Sequence, residues 1–473
     1  MRIDNFFDWF ASEQLTEQPW LLLGKGPSFQ QYQPELNQHY FTLALNHTIR
    51  EVKCDIAHAI DLDVIDSCAD AIDSNARYLL VPWVLHQFNK PSDKTLNIWI
   101  EKIPILEKLW EERRLKWYNL RTTKIIEGKT PIVQAMAFSA EAAVSALALA
   151  GIRRFRTLGI DGGIEYAQQF SDLQRKTRLN NGQPSYDLQF KGICKSIRHF
   201  ELDFGPLNTE LPIRVYVGSQ IEQMLAVKVL EYTLKKYASA TVELHPLHLS
   251  DVYYPMPKHP ENRPRTPFSF QRFSIPQMAG FKGKAIYLDS DMMVFTDIMK
   301  LWNIPFEGSQ LLSAGFSGSE NRDPQYSVML LNCEQLKEWA PSHIVSLLDE
   351  GKLTYNELMY QMKIVNQQQA SIPSCWNSLE AYEPGQTALL HFTDMNRQPW
   401  LSRKNSLTPI WVQALIDAVE DGFISLQTIQ EHVDLGWVRP SLLWQVKKRK
   451  AHLSRYSFTA AWLDRQFIPP HKK

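Results

Sequence analysis

The chain has 473 residues, past the size at which one hydrophobic core usually stops growing, so two domains of ordinary size are expected. Its 51 Lys plus Arg residues balance 51 Asp plus Glu, which excludes wholesale capture of nucleic acid and leaves any charge-based partner to be met locally. Cys54, Cys68, Cys194, Cys333 and Cys375 show no Cys-x-x-Cys spacing, so neither a zinc site nor a disulfide framework is indicated, and a reducing cytoplasm is the expected setting.

No basic stretch leads from Met1 into the apolar run of about 7 to 15 residues that a secretory signal requires. Apolar runs at residues 21–23, 41–45, 56–60, 78–81 and 155–160 alternate with helix-like segments. Such runs predict strands buried on both faces, hence a mostly parallel sheet with helices on either side, a Rossmann-like domain over residues 1–205. The alanine-rich stretch 135–150 is broken by Ser139, Glu141 and Ser145, and predicts a buried helix rather than a bilayer span.

Two strand ends in this half carry glycines. Trp20-Leu21-Leu22-Leu23 leads into Gly24-Lys25-Gly26-Pro27-Ser28, and Leu158 leads into Gly159-Ile160-Asp161-Gly162-Gly163. In a parallel sheet both loops lie at the carboxyl edge, where open α/β folds bind ligands. The first loop could expose backbone N–H groups to a phosphate or serve only as a strand-to-helix turn. It is neither a P-loop nor a complete Gly-x-Gly-x-x-Gly fingerprint, since position 29 is Phe. The pair of loops resembles a Rossmann-like group that includes family 42 sialyltransferases, motility-associated sugar transferases and pterin diphosphokinase-like proteins. That resemblance implies a nucleotide or nucleotide-sugar pocket lined by Gly24, Gly26, Ser28, Asn46 and Asp161, with Asn46 placed at the end of another apolar run.

Turn-rich sequence around residues 180–184 and 204–208 puts the domain boundary near 200–211. A second alternation follows, with strands expected at 213–217, 241–247, 284–288, 310–314 and 327–331 and a helix at 221–237. The strand Ala285-Ile286-Tyr287-Leu288 runs into Asp289-Ser290-Asp291. Carboxylates at i and i+2 share a face of an extended segment and can hold one hard cation, Mn²⁺ or Mg²⁺, that also carries diphosphate oxygens. A metal so placed neutralises the charge that grows on a departing diphosphate.

About a hundred residues downstream lie Leu390-His391-Phe392-Thr393-Asp394 and Gln398-Pro399-Trp400. Together with the Asp289 strand they resemble glycosyltransferase family 8, over roughly residues 212–402. The resemblance implies a GT-A architecture and a metal site of Asp289, Asp291 and His391. It further implies donor contacts from Val217, Gly218 and Ser219 of the opening strand, from Arg272 and from Ser290 between the carboxylates; separately, Trp376 and Asn377 could contact a sugar, the indole by stacking, or serve only in packing. The family's Asp-Gln-Asp stretch is absent; the nearest candidates are Asn356-Glu357 and the run Gln367 to Gln369. No residue offers itself as a nucleophile, and the catalytic residues stay unassigned.

Residues 403–473 read as a helical extension in which Leu442-Leu443-Trp444 and Lys447-Lys448-Arg449-Lys450 mix apolar and basic side chains. Such a segment can dock on an anionic membrane or pack its apolar face on the domain. The expected function is a metal-dependent hexosyltransferase that moves sugar from a nucleotide sugar, a UDP-sugar by the resemblance, with retention, to a saccharide or lipid-linked acceptor in surface glycan synthesis such as lipopolysaccharide or capsule. It would work in the cytoplasm or at the inner membrane face. Two alternatives stand beside a bifunctional enzyme: a single transferase with a noncatalytic N-terminal acceptor-recognition domain, and a noncatalytic nucleotide-sugar binding protein.

Overall fold

The computed structural model describes residues 3–13, 15, 18–173, 185–266, 268–314, 326–365, 368–453 and 457–473. The expected turn at 180–184, Pro267 and Gln367 lie outside them. The chain divides into two compact units, one of residues 1–209 with 239–241, the other of residues 210–238 with 242–473. The extension after residue 403 thus falls inside the second unit.

The first unit is built on β1 (Asp4–Asn5), β2 (Trp20–Leu23), β3 (Phe41–Leu45), β4 (Cys54–His58), β5 (Ala76–Pro82), β6 (Leu115–Leu120), β7 (Ile132–Val133), β8 (Arg154–Leu158) and β9 (Asp203–Pro206). The strand order is β1-β6-β5-β4-β3-β2-β8-β9, with β7 on β6, and every pairing is parallel. Alternate residues of β2 enter opposite cores: Leu21 and Leu23 pack with Ala44, Leu79 and Leu158, whereas Trp20 and Leu22 pack with Leu43, Leu80 and Phe155. Burial on both faces is why these strands read as continuous apolar runs.

Four strands of this unit escaped the sequence reading, the two-residue β1 and β7 and the longer β6 and β9. β6 contains Lys116 and Asn119, both buried; Lys116 Nζ is held by Asp4 at 2.8 Å and Asn119 Nδ2 by the Glu127 carbonyl at 2.8 Å. Polar residues satisfied in this way interrupt the apolar signal. β9, in the stretch expected to be a turn, contains Gly205 and Pro206, which an edge strand tolerates.

The order reverses at β2, flanked by β3 on one side and β8 on the other. Here two loops meet backbone to backbone. Gly24 N–H donates to Leu158 O and Gly26 N–H to Gly159 O, each at 2.8 Å. A Cβ on Gly24 would overlap the Gly159 carbonyl, and Gly159 itself has φ +74° and faces the Gly24 carbonyl. Only glycine fits both sides.

In the second unit, β10 (Ile213–Gly218), β11 (Val242–Pro246), β12 (Lys284–Asp289), β14 (Leu311–Ala314), β15 (Val328–Asn332) and β16 (Gln368–Ile372) form a mixed sheet in the order β11-β10-β12-β15-β14-β16. β10 pairs parallel with β11 and β12, and β15 runs antiparallel to β12. A small second sheet joins β13 (Met292–Val294), β18 (Leu389–His391) and β17 (Ser378–Leu379).

The helices Thr408–Glu420, Leu426–Asp434 and Pro440–Lys447 close this unit. Their Trp411, Leu415, Ile429, Leu442, Leu443 and Val446 share one core with Leu390, Phe392 and Trp400. The expected membrane-facing leucines are therefore buried, because packing removes them from water without a lipid. Phe458 and Trp462 further on are exposed. No helix among the described residues is long and apolar enough to cross a membrane.

Gly159→Ala should cost about 1–3 kcal/mol from the left-handed backbone alone, and more from the overlap with Gly24. Urea unfolding of the full chain checks this, and an unchanged midpoint for the first unit's transition would contradict the account of the strand-end contact.

Candidate metal centre and the comparisons that place it

The centre is assembled where the two sheets of the second unit touch in sequence. β12 ends at Asp289 and β13 begins at Met292, so only Ser290 and Asp291 join them. Met292 pairs with His391 across the small sheet, and Phe392 N–H donates to Asp291 O at 2.8 Å. That register sets the imidazole beside the carboxylates despite a hundred intervening residues.

His391 Nε2 lies 3.1 Å from Asp291 Oδ1 and 4.0 Å from Asp289 Oδ2. One donor atom from each of the three residues lies within 4.8 Å of the others, the only such His/Cys/Asp/Glu group among the described residues. Each ligand is oriented from behind. Tyr287, two residues before Asp289 and on the same face of β12, donates its hydroxyl to Asp289 Oδ1 at 2.6 Å. Gln398 Nε2 donates to Asp291 Oδ2 at 3.0 Å. Asn377 Oδ1 accepts from His391 Nδ1 at 3.0 Å, which places the hydrogen on Nδ1 and turns Nε2 toward the carboxylates.

Burial pushes the Asp289 carboxyl above its ordinary pKa, Arg272 opposes this, and neighbouring Asp291 adds to it. Burial works against charge on His391, but Asp291 and Asp289 together outweigh it and the imidazole pKa is raised. Asp291 Oδ1 is buried and makes no well-aligned hydrogen bond. Two hard oxygen donors, an imidazole with an outward-facing nitrogen and an unsatisfied buried carboxylate oxygen fit a divalent cation.

The expected donor contacts divide. Arg272 is buried with its guanidinium 4.6 Å from the Tyr287 ring centre, and Nη1 donates to Tyr326 O at 3.2 Å. Gly218 pairs with Asp289, and a Cβ there would collide with the Tyr287 hydroxyl. Val217 and Ser219 are buried, the Ser219 hydroxyl lying 2.8 Å from His248 Nδ1. Ser290 is buried too, with its N–H on Gly218 O at 3.1 Å. Folding thus encloses the side chains of these three residues beside the cluster. Trp376 is buried, and Asn377 Oδ1 accepts from His391 Nδ1. Arg265 donates to the Tyr360 hydroxyl at 2.7 Å. Asn356 and Glu357 belong to the short helix Tyr355–Met359, where Glu357 forms a capping box with Thr354.

In the first unit, the glycine loop does not offer its glycine amides to a phosphate, because Gly24 and Gly26 N–H groups are engaged by β8 and its loop. Asp161 accepts from Ser28 N at 2.7 Å and Ser28 Oγ at 2.5 Å, and Gly159 N donates to Ser28 Oγ at 2.7 Å. Ser28 and Asp161 therefore lock the two loops together. Asn46 has φ +52° and accepts from Ser139 Oγ at 3.2 Å. Gly24, Gly26, Asn46 and Asp161 all line one cleft at the carboxyl edge.

The sequence reading passed over Tyr287 and Gln398, although Tyr287 sits two residues before Asp289, a spacing that shares a strand face. Asn377→Ala should weaken binding of a divalent cation about 10–100-fold, measured by Mn²⁺ titration; unchanged affinity would show that Asn377 does not orient His391. Asp289 titrates above its unfolded value, so without metal the folded state loses stability as pH rises through that interval. Asp289→Asn should accordingly raise the melting temperature of the EDTA-treated protein at pH 7 and abolish stabilisation by Mn²⁺. A lower melting temperature in EDTA would contradict the sign.

The family model for glycosyl transferase family 8 matches residues 189–403. A curated relative, Protein CDI of Arabidopsis thaliana, is 31% identical over 98 residues, 20% of this chain and 37% of that protein. Solved structures with partial likeness include the bifunctional glycosyltransferase WbbM (12% identity, 45% of this chain and 51% of that chain, TM-score 0.32). The glycosyltransferase GlyE of Streptococcus pneumoniae follows (14% identity, 43% and 60% covered, TM-score 0.34), as does the galactosyltransferase LgtC solved with donor and acceptor sugar analogues (10% identity, 43% and 95% covered, TM-score 0.29). The chain spans about a third of the curated relative and half of WbbM, so the assignment rests on the family match. Residues 189–403, which match the glycosyl transferase family 8 model, include every residue of the metal centre, and the match supports a glycosyltransferase domain in the C-terminal half of the chain.

Proposed function

We propose that the second unit transfers a hexose from a UDP-sugar to a hydroxyl of a saccharide or lipid-linked acceptor, with Mn²⁺ or Mg²⁺ held by Asp289, Asp291 and His391. The observation that carries this reading is the three-residue cluster itself, inside the family match, with each ligand held by a second residue. When bound, the ion supplies Lewis-acid stabilisation of the departing diphosphate.

The protein's own part is positioning. Tyr287 and Gln398 fix one oxygen of each carboxylate, which leaves Asp289 Oδ2 and Asp291 Oδ1 on the side of His391 Nε2. Arg272 adds positive charge next to Asp289, and a guanidinium there suits a diphosphate. The resemblance to family 8 implies retention of anomeric configuration, and with no buried carboxylate or thiol beside the cluster as a separate nucleophile among the described residues, front-face attack by the acceptor hydroxyl is the route to it. Catalysis would then come from alignment and charge stabilisation.

The purified chain should release UDP from at least one UDP-sugar with Mn²⁺ and not with EDTA. Asp291→Asn should lower that rate about 100-fold or more. Nuclear magnetic resonance of the product should show the donor's anomeric configuration. No turnover of any nucleotide sugar, alongside metal-dependent UDP binding, would favour a noncatalytic binding protein, and an inverted product would refute the front-face reading.

A further inference from the structure

The cleft at the carboxyl edge of the first unit holds a cation that forms no direct ion pair among the described residues. Lys25, between the two glycines, lines it, and among the described residues no carboxylate lies within ion-pair distance of Lys25 Nζ. Its neighbour is Tyr166, whose ring centre is 4.9 Å from Nζ. Burial depresses the Lys25 pKa, opposed by Tyr166 and, more weakly, by Cys68 and Asp61, so the ammonium stands where an added anion would stabilise its charge further.

Opposite features converge on the same cleft. The helix Ser139–Leu149 points its amino end there, with Phe138, Ser139 and Ala140 lining the wall. The N-cap residue, Phe138, offers no side-chain acceptor to the first-turn amides. Glu141 accepts from the N–H groups of Met136, Ala137 and Phe138 at 2.9–3.0 Å, all before the helix, and the Ser139 and Ala140 amides have no partner among the described residues. Such amides attract anions. His47, on the wall, is 5% exposed with Nδ1 buried and unpartnered. A polar site of this kind calls for a ligand, since an unsatisfied buried donor or acceptor is costly.

The cleft continues past Ser139 into a second hollow lined by Asp61, His86 and Thr122. Asp61 lies in both parts. His86 lies 4.0 Å from Asp61 and its Nε2 3.1 Å from the Thr122 hydroxyl. Carboxylate, imidazole and hydroxyl together suit the hydroxyl groups of a sugar or ribose.

We propose that this edge is a second, metal-independent site, which binds the phosphate of a small phosphorylated sugar or nucleoside between Lys25 and the amino end of the Ser139–Leu149 helix, with the hydroxyl-bearing part toward Asp61. It goes beyond the transferase reading and stands on different residues. The three-ligand metal group is confined to the second unit among the described residues, so EDTA separates the two sites.

Calorimetry on the full chain in EDTA tests this with UMP, CMP and glucose 1-phosphate against uridine, cytidine and glucose. At least one phosphorylated probe should bind, and its dephosphorylated counterpart should bind at least about tenfold more weakly, the loss of one charge-assisted contact. Lys25→Gln should cost about tenfold or more, and Lys25→Arg less. Ser139→Pro supplies a second variant: proline suits the first helical position, Phe138 already has the extended backbone that precedes proline, and one amide donor is removed. It should weaken binding while far-UV circular dichroism stays unchanged. Absence of binding by every phosphorylated probe, equal binding of a dephosphorylated one, or full affinity in both Lys25→Gln and Ser139→Pro would overturn the proposal. Retained Mn²⁺-dependent UDP release in these variants would show that the transferase site is separate.

Discussion

Two carboxylates at the end of a buried strand repel each other, and much of the second unit can be understood as the means of keeping them together. Asp289 and Asp291 are brought close by a strand that stops, takes two residues to turn, and restarts in another sheet. The fold then supplies three hydrogen-bonding partners and one imidazole around them. In the absence of a metal the imidazole is the nearest balancing charge, which is why its pKa is raised. A divalent cation would do this better, because it can be ligated by both oxygens and the nitrogen at once. The cost of holding like charges in a low-dielectric place is characteristic of sites built for a ligand rather than for stability.

The same logic of close approach shapes the first unit with backbone instead of charge. Gly24 and Gly159 pack carbonyl against α-carbon at the point where strand order reverses. Ser28 and Asp161 then tie the loops with three hydrogen bonds. The glycines that a motif search reads as a phosphate cradle are required by this contact. The open donors lie nearby, on Lys25 and at the start of the Ser139–Leu149 helix.

How much of this was legible in the sequence follows from which signals are local. Strands buried on both faces announce themselves as apolar runs, so β2, β3, β10 and β12 were found within a residue or two of their observed ends. The Asp289-Ser290-Asp291 pair was legible because a strand and its end are contiguous, and His391 entered through the family resemblance. The partners of these ligands were not legible. Asn377 meets His391 only through the pairing of β17 with β18, and Gln398 meets Asp291 only through the turn after Phe392. Trp376 read as a sugar platform because an indole looks the same in sequence whether it faces solvent or a core. Lys25 was given no role in the sequence, and only the cleft shows that its charge forms no direct ion pair among the described residues.

The central claim is that His391 and both carboxylates ligate one ion. Pulsed electron paramagnetic resonance of Mn²⁺ bound to the full chain tests it most directly, since an imidazole nitrogen on manganese gives a distinct nitrogen coupling. The account predicts one such coupling, lost in His391→Ala and present whether or not UDP is added. Tightly bound Mn²⁺ with no nitrogen coupling, or a coupling that survives in His391→Ala, would contradict it.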